Sequence, residues 1–452
     1  MEHDDWCINR LKNRTRKAHD HRSAYEKDRC KVVHSYAFRR LQGKIQVVSG
    51  IESDFHRNRL THSIEVASIA KSIYCNIRER RRHNTSDEPL QLFFEHQDKS
   101  DIESLLFTIG LLHDIGHPPL GHGGEYALNY KMHKFGGFEG NAQTLRLITT
   151  ISPLNLTYRT LLGTLKYPVN YTKLVNLNAY PIEPDRRATD SCQISTYLIN
   201  RNDWAPPKCY YDIDEHIVSE MLQYLNESDK ERFQSRLINV DGTHNQSIYK
   251  TFDCSIMDIA DDISYSIHDL EDAIFFNQIK KDDLDEFFSN QKFISEHEWQ
   301  KYPKQLLAKD LNQRKKIISK LVHSAIINTG VFIRTDFSEP LLKYYVDFEN
   351  DLLKDFIQRL KKIVRKKLIE TQHVKSIIHG GMVVIMQLFD AFLVNPDLLP
   401  TTQYEKIKKA DANSENYRRV IADYISGMTD QYLFKMHQRI FGANNQNTFD
   451  II

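Results

Sequence analysis

The stretch that most limits how this chain can fold lies between residues 102 and 125. Its first part, Ile102–Leu112, is almost uninterrupted apolar sequence, which predicts a buried helix. Gly116 and Pro118 then break the helical pattern, so the helix is expected to end at the pair His113-Asp114. These two polar side chains are therefore predicted to be anchored by the core while facing a loop, as a metal ligand or a catalytic base requires.

Further candidate ligands lie far away in the sequence. His62 opens a second segment with helical apolar spacing. Asp261, Tyr265 and Asp269 are spaced by four residues in another such segment, which places them on one face of a helix. Asp258 and Asp262 fall on other faces, so Asp261 is the favoured ligand. A mixed set of imidazole nitrogens and carboxylate oxygens suits a borderline or hard divalent ion with a position left open for water or phosphate.

The order His62, His113-Asp114, Asp261 resembles that of the HD metal-phosphohydrolase superfamily. Within it, the sequence is most similar to deoxyguanosinetriphosphate triphosphohydrolases and to dGTPase-like dNTP hydrolases. Four further segments carry the resemblance, and they are Ser35–Val47, Gly136–Gln143, Asn155–Pro168 and Asp423–Asp430. The matching segments extend from about Asp20 to Gly442. A lone His-Asp pair would be a weak signal, whereas these segments in this order are specific.

The resemblance implies one divalent metal ion per subunit, held by His62, His113, Asp114 and Asp261. Mn²⁺ or Mg²⁺ is favoured, and other transition metals stay open. The resemblance also implies that His122 transfers a proton at the scissile bond, as acid or as base, while Glu125 orients its ring. His117 is expected to add a donor to the phosphates. The residues expected to contact substrate are Gln46, Arg59, Asn141, Lys166, Tyr167, Lys208, Tyr265 and Asp269.

The expected reaction is metal-dependent hydrolysis of dGTP, or of dNTPs more broadly, to deoxynucleoside and tripolyphosphate, with water attacking the α-phosphate. Two alternatives stay open: an HD-type nucleotide phosphodiesterase or 5′-nucleotidase, and a nucleic-acid-binding HD relative. The family resemblance also implies a homo-oligomer based on dimers (a tetramer or hexamer), and a single-stranded DNA or nucleotide effector. Nothing in the residues separates a role in nucleotide pools from one in anti-phage defence.

The residues expected to select the base differ from those of dGTP-selective relatives. Where a carboxylate is expected to read the guanine edge, this chain has the apolar segment Ser376–Gly381. A basic stretch that follows in relatives is shortened here, around residues 398–413. Strict guanine selection is therefore in doubt.

Helical periodicity dominates the chain, so the predicted fold is all-α, an HD-domain helical core with additional C-terminal helices. Residues 1–275 are expected to form the core with an N-terminal arm, and 169–207 an insertion or lid. Residues 276–452 are expected to pack on that core in one continuous domain. Single helical patterns cover Val32–Val48 and Asp351–Val374. The second has a basic face, which fits a solvated surface or a contact to polyphosphate or single-stranded DNA.

Composition is that of an ordinary globular protein, with 40% hydrophobic and 27% charged residues and a net charge of +1. The six cysteines include no Cys-x-x-Cys pair, which argues against a zinc ribbon and against a disulfide framework. There is no signal-peptide core and no uninterrupted apolar run long enough for a membrane span. A cytoplasmic enzyme with no membrane contact is expected.

Overall fold

A computed structural model of the chain describes residues 5–12, 19–46, 57–82, 88–98, 100–181, 199–289, 301–308, 310–411 and 414–442. Over these ranges the prediction of an all-α fold is confirmed. In chain order the helices are α1 Ala24–Val33, α2 Tyr36–Arg40, α3 Arg59–Arg82, α4 Glu88–Asp98, α5 Ile102–Leu112, α6 His122–Met132, α7 Gly140–Arg146, α8 Tyr158–Thr164, α9 Tyr171–Leu174, α10 Glu215–Leu222, α11 Glu227–Phe233, α12 Phe252–Phe275, α13 Lys281–Ser289, α14 Tyr302–Leu306, α15 Leu311–Ile327, α16 Pro340–Lys343, α17 Asp351–Val364, α18 Gln372–Val394, α19 Thr401–Ile407, α20 Glu415–Ser426 and α21 Asp430–Phe441.

Three helices, α3, α5 and α12, pack against one another in the larger of the hydrophobic cores formed by the described residues. Helix α5 is buried along nearly its whole length, as its apolar sequence predicts, and it ends at His113. Gly110 lets α3 approach closely, because a Cβ atom at this position would lie 2.5 Å from the Cα atom of Ala67. The close approach sets the distance between the helices that carry His62 and His113.

A second core forms where α18 packs against α6, α20 and α21. By length and composition α18 could span a membrane. Its apolar side is instead buried against protein, with side chains such as Ile385, Met386 and Phe389 inside this core.

The two cores share the C-terminal half of the chain. Buried apolar residues from 284 to 368 belong to the first core, and those from 374 to 436 to the second. The expected division near residue 275 stays a prediction. So does the insertion or lid at 169–207, of which residues 182–198 lie outside the described ranges.

Two short antiparallel strand pairs depart from the helical pattern that was expected to dominate the chain. One pairs β1 Arg236–Leu237 with β2 Gln246–Ser247, and the other pairs β3 Thr329–Ile333 with β4 Tyr344–Phe348. In β4 the side chains of Tyr344, Val346 and Phe348 alternate inward. That period-two alternation of β-branched and aromatic residues is the sequence signal for this strand.

Two segments predicted as single helices are each broken by a capping residue, so those predictions were wrong in detail. Ser35 caps α2, its hydroxyl accepting from Phe38 N at 3.1 Å, which separates α2 from α1. The described chain then leaves helical geometry after Gly43, and residues 47 and 48 lie outside the described ranges. In the second segment, α17 passes through a π turn at Arg365–Ile369, and Thr371 caps α18.

Contacts from the C-terminal helices hold the loop between α5 and α6 in place. Asp430, the first residue of α21, accepts hydrogen bonds from Ile45 N at 2.7 Å and from Leu120 N at 2.9 Å. Lys44 donates to the carbonyl oxygens of His117 at 2.6 Å and Ser426 at 2.8 Å. Burial lowers the pKa of Lys44 to about 7, so this amine is a structural donor inside the protein.

A buried ion pair ties α8 to α12. Arg159 Nε and NH2 donate to the two oxygens of Asp253 at 2.8 and 2.9 Å, and both side chains are buried. We expect Asp253→Ala to lower the free energy of unfolding by about 3–5 kcal/mol, because it leaves a guanidinium buried without its counter-charge. The control is Asp355→Ala, which breaks an exposed pair with Arg359 and should cost about 0–1 kcal/mol. Denaturant unfolding of both variants measures the difference, and equal losses would contradict the prediction.

Candidate active site

Four predicted ligands converge where α3, α5 and α12 meet. Ligand atoms of His62, His113 and Asp114 all lie within 4.8 Å of one another. Asp261 Oδ1 lies 3.2 Å from His62 Nε2 and 3.7 Å from His113 Nε2. Side chains from three remote parts of the sequence therefore face one point.

The chemistry of this donor set fits a divalent metal ion. His113 Nδ1 lies 2.7 Å from the carbonyl oxygen of Gly110, which can only accept, so Nδ1 carries the hydrogen. His113 Nε2 is then left as a lone pair aimed at the cluster, and it is buried with no hydrogen-bond partner among the described residues. A buried nitrogen without a partner is costly in a folded protein unless something binds it.

The neighbouring aspartates have other partners. Asp258 pairs with Lys166 at 2.6 Å and with Lys250. Asp262 pairs with Lys361 at 2.5 Å. Only Asp261 of the three points into the cluster, in agreement with the helical phase read from the sequence.

Cations surround the cluster on the cavity side. Arg59 forms a buried ion pair with Asp114. Lys166 reaches Asp261 Oδ2 at 3.7 Å in addition to Asp258. Two residues predicted to contact substrate therefore already touch predicted metal ligands.

His122 and Glu125 form the predicted pair at the start of α6. His122 Nδ1 lies 2.8 Å from Glu125 Oε2; the imidazole side chain is 62% exposed, whereas the carboxylate is completely buried. Glu125 also accepts from Gly140 N at 2.9 Å, and Lys208 Nζ lies 3.2 Å away. Burial alone would raise the pKa of Glu125, but Lys208 and the hydrogen bond with His122 lower it well below its usual range. The carboxylate is therefore charged. Its contact with His122 holds Nδ1 toward the protein, which leaves Nε2 on the solvent side of the ring.

His117 lies between these two groups. Its Nδ1 is 3.1 Å from Asp114 Oδ1, and its ring centroid is 5.5 Å from that of His122. Burial lowers the pKa of His117 to about 3, so its imidazole is neutral at pH 7.

These residues line a cavity of about 240 Å³. The four predicted metal ligands line it together with His117 and His122. It is also lined by most of the predicted substrate contacts, namely Gln46, Arg59, Asn141, Lys166, Tyr167, Lys208 and Tyr265. Asn141 is held by a hydrogen bond from its Nδ2 to Glu139 Oε1 at 2.8 Å. Lys208 bridges Glu125 and Glu139, so it reaches the cavity as part of an ion-paired group.

Asp269 is the predicted substrate contact that does not line this cavity. It lies two helical turns after Asp261 on α12, completely buried, and neither carboxyl oxygen has a hydrogen-bond partner among the described residues. Burial raises the pKa of Asp269 to about 8. At pH 7 this carboxyl is therefore protonated in the folded protein.

A second cavity of about 460 Å³ continues from the first and shares His122, Lys166, Asp261 and Tyr265 with it. Four cations that were not named as site residues line these cavities. Arg201 lines both, and Lys361, Lys362 and Arg365 line the second. The basic face of residues 354–367 was the sequence signal for the last three. Arg201 lies in the segment interpreted as an insertion, and no sequence pattern marked it.

A larger cavity lies elsewhere. It measures about 750 Å³ and includes Tyr36, Arg146 and Tyr432. Arg146 is already paired with Asp423 and Asp214. Of the cavities described, the one of about 240 Å³ is lined by all four predicted metal ligands. The side chains that line it, and not its volume, therefore identify the candidate site.

Comparison with known proteins agrees with this geometry. The HD domain family matches residues 59–156 and the phosphohydrolase-associated domain family matches residues 347–439. Proteins named deoxyguanosinetriphosphate triphosphohydrolase-like are 36% identical in Shewanella pealeana, over 98% of both chains, and 37% identical in Shewanella halifaxensis, over 100% of this chain and 99% of that one. One from Vibrio campbellii is 35% identical over 94% of each. The chain is therefore a phosphohydrolase of the HD class and belongs to the family of deoxyguanosinetriphosphate triphosphohydrolase-like proteins.

Proposed function

We propose that this protein hydrolyses dGTP, or dNTPs more broadly, to a deoxynucleoside and tripolyphosphate. One observation carries the proposal: the His62, His113, Asp114 and Asp261 cluster opens into a cavity lined by the residues expected to hold a nucleotide. The names of the relatives from Shewanella and Vibrio support the same reaction class.

The metal site is proposed to be formed by two imidazoles and two carboxylates, one ion per subunit. Mn²⁺ or Mg²⁺ would supply the positive charge that polarises a phosphoryl oxygen. His113 offers Nε2 in the tautomer that a ligand requires, and Asp261 lies against both imidazoles.

Phosphoryl transfer depends mainly on positioning and on charge stabilisation, so the cations of the cavity wall have a clear use. We propose that Arg59 and Lys166, which already contact Asp114 and Asp261, also face the α-phosphate. Lys208 would contribute from the opposite wall, beside Glu125. Neutral His117 would hydrogen-bond to the same phosphate.

His122 is proposed to transfer the proton at the scissile bond. Glu125 Oε2 holds Nδ1, which leaves Nε2 on the exposed side of the ring. As acid, Nε2 would protonate the departing 5′-oxygen; as base, it would accept a proton from the attacking water. In either role, the charged carboxylate of Glu125 would hold the ring in a fixed orientation.

The remaining contacts are proposed for sugar and base. Gln46, Asn141, Tyr167 and Tyr265 line the cavity, and Tyr265 would pack on the deoxyribose and leave no room for a 2′-hydroxyl. Asp269 lies one turn beyond Tyr265, buried behind the wall, where its carboxyl would reach the 3′-hydroxyl only if the wall shifts. Ile369 and Ile378 provide an apolar boundary. With no carboxylate at this apolar boundary, activity on several dNTPs is expected.

The basic face of α17 supports a nucleic-acid-binding function less well. Lys354 pairs with Asp347, Lys361 with Asp262, and Lys367, in the π turn that follows, with Asp283. These pairs reduce the net positive charge of that face, and binding of a nucleic-acid backbone depends on positive charge spread over an extended surface.

In the cell, the proposed enzyme is a cytoplasmic homo-oligomer built from dimers, a tetramer or hexamer. Single-stranded DNA or a nucleotide is its proposed effector. By hydrolysing dNTPs, it would either control nucleotide pools or defend the cell against phage.

The first test is chromatography of products from all four dNTPs with and without Mn²⁺. Tripolyphosphate and deoxynucleoside are expected, with activity on more than one base. Pyrophosphate or inorganic phosphate as the primary product would replace this proposal with a phosphodiesterase or nucleotidase reaction.

Removal of a ligand should abolish metal binding and turnover together. His113→Ala and Asp114→Ala are expected to lose detectable Mn²⁺ binding by calorimetry and to lose hydrolysis. The exposed His373, which lies outside the cavity, provides the control variant His373→Ala. Normal Mn²⁺ affinity in His113→Ala would rule out the proposed site.

His122→Ala should separate binding from chemistry. We expect Mn²⁺ affinity to remain within about twofold of that of the parent, while kcat falls by about 100- to 10,000-fold, the usual contribution of a positioned acid or base. Glu125→Gln should give a smaller loss, because the amide still holds the ring. Near-normal kcat in His122→Ala would refute the assignment.

Asp269→Asn should change how stability depends on pH. The folded pKa of Asp269, about 8, is above its unfolded value, so between pH 4 and pH 8 the folded state binds more protons and the parent loses stability as pH rises. The neutral variant lacks this loss. Unfolding of the metal-free proteins should show an advantage of Asp269→Asn that grows up to about pH 8; a constant difference would show that Asp269 is ionised in the fold.

A further inference from the structure

Behind the proposed metal ligands lies a second layer of polar side chains that the proposed reaction does not use. His62 and His113 both turn Nε2 toward Asp261, so Nδ1 of each ring needs a hydrogen-bond partner on the opposite side. His113 Nδ1 is held by the backbone carbonyl of Gly110. Among the described residues, the hydrogen-bond partner of His62 Nδ1 is a side chain, the hydroxyl oxygen of Ser264, at 3.3 Å.

Ser264 belongs to a short chain of hydrogen-bonding groups. Its Oγ lies 3.1 Å from His268 Nδ1, one turn further along α12. His268 Nδ1 also lies 3.0 Å from Glu65 Oε2, on the same helix as His62. The path therefore leaves α3 at His62, passes through α12, and returns to α3 at Glu65.

Arg57 closes this path. Its Nε donates to both carboxylate oxygens of Glu65 at 3.0 and 3.1 Å, and its Nη1 donates to the carbonyl oxygen of His268 at 3.2 Å. Nη1 also donates to Asp272, and Nη2 donates to Glu271 at 2.5 Å. The start of α3 is thereby held against the last turns of α12, which fixes the rotation of one helix against the other.

Hydrogen-bond chemistry sets the direction of the key contact. An imidazole that binds a metal through Nε2 has no lone pair left at Nδ1, which must carry a hydrogen and donate it. Ser264 Oγ is the acceptor within reach of His62 Nδ1. Ser264 is completely buried, so its hydroxyl is shielded from bulk water in the folded protein.

We propose that Ser264, held by His268 and Glu65, is a positioning residue that keeps the His62 ring in the orientation and tautomer for metal binding. The inference rests on the metal site of the proposed function. It assigns a role to Ser264 and to His268, both outside the cavity wall.

The test compares two buried serines of α12. Ser264→Ala removes the acceptor for His62. Ser266→Ala is the matched control, since the Ser266 hydroxyl bonds only carbonyl oxygens of its own helix, those of Asp262 and Ile263. Mn²⁺ affinity is measured by electron paramagnetic resonance of the free ion. We expect about 10- to 100-fold weaker binding for Ser264→Ala, the usual effect of removing such a partner, and unchanged binding for Ser266→Ala.

Steady-state kinetics add a second measurement. At saturating Mn²⁺ the kcat of Ser264→Ala should return to within about twofold of the parent value, while the Mn²⁺ concentration for half-maximal rate rises by the same factor as the dissociation constant. General loss of folding would instead lower kcat at every Mn²⁺ concentration.

A second pair of variants tests the outer part of the path. His268→Asn places an amide near the position of Nδ1 and should keep most of the Mn²⁺ affinity, whereas His268→Leu should weaken it. Equal Mn²⁺ affinity of the parent, Ser264→Ala and His268→Leu would overturn the inference and leave the metal site intact. Failure of the parent to bind Mn²⁺ would overturn the proposed function as well.

Discussion

The central constraint on this structure is electrostatic: two imidazoles and two carboxylates must face one point inside a helical core. Each group would be costly to bury alone. His62, His113 and Asp261 come from different helices, so the packing of α3, α5 and α12 has to be close and fixed in rotation. The contact of Gly110 with Ala67 and the Arg57 contacts to Glu65, Glu271 and Asp272 both serve that requirement.

Around this point, charges occur in compensating layers. Arg59 faces Asp114, Lys166 faces Asp258 and Asp261, and Lys208 faces two buried glutamates. The cations are thus held in place before any ligand arrives. A site of this kind can stabilise charge on a phosphate without reorganising during the reaction.

The C-terminal helices take part in the site although none of the four proposed metal ligands lies on them. Asp430 and Lys44 join the loop that contains His117 and Leu120 to the ends of α20 and α21. Residues 347–439, which include α20 and most of α21, match the phosphohydrolase-associated domain family. Their physical role here is to support the active-site loop and to place Ile369 and Ile378 at the boundary of the cavity.

Sequence alone determined the local features. The apolar run Ile102–Leu112 and the Gly and Pro residues after it set the helix and its end, and the spacing of four selected Asp261 over its neighbours, because both depend on residues close in the chain. Caps such as Ser35 and Thr371 are equally local signals, and they end helical patterns that apolar periodicity alone would continue.

Only tertiary structure decided which distant groups meet. Arg201 lines the cavity, Asp269 is buried behind the cavity wall, and Ser264 lies beside His62. No local pattern specifies such outcomes, because they depend on the angle and distance at which helices pack, and these are set by the combined shape of many side chains.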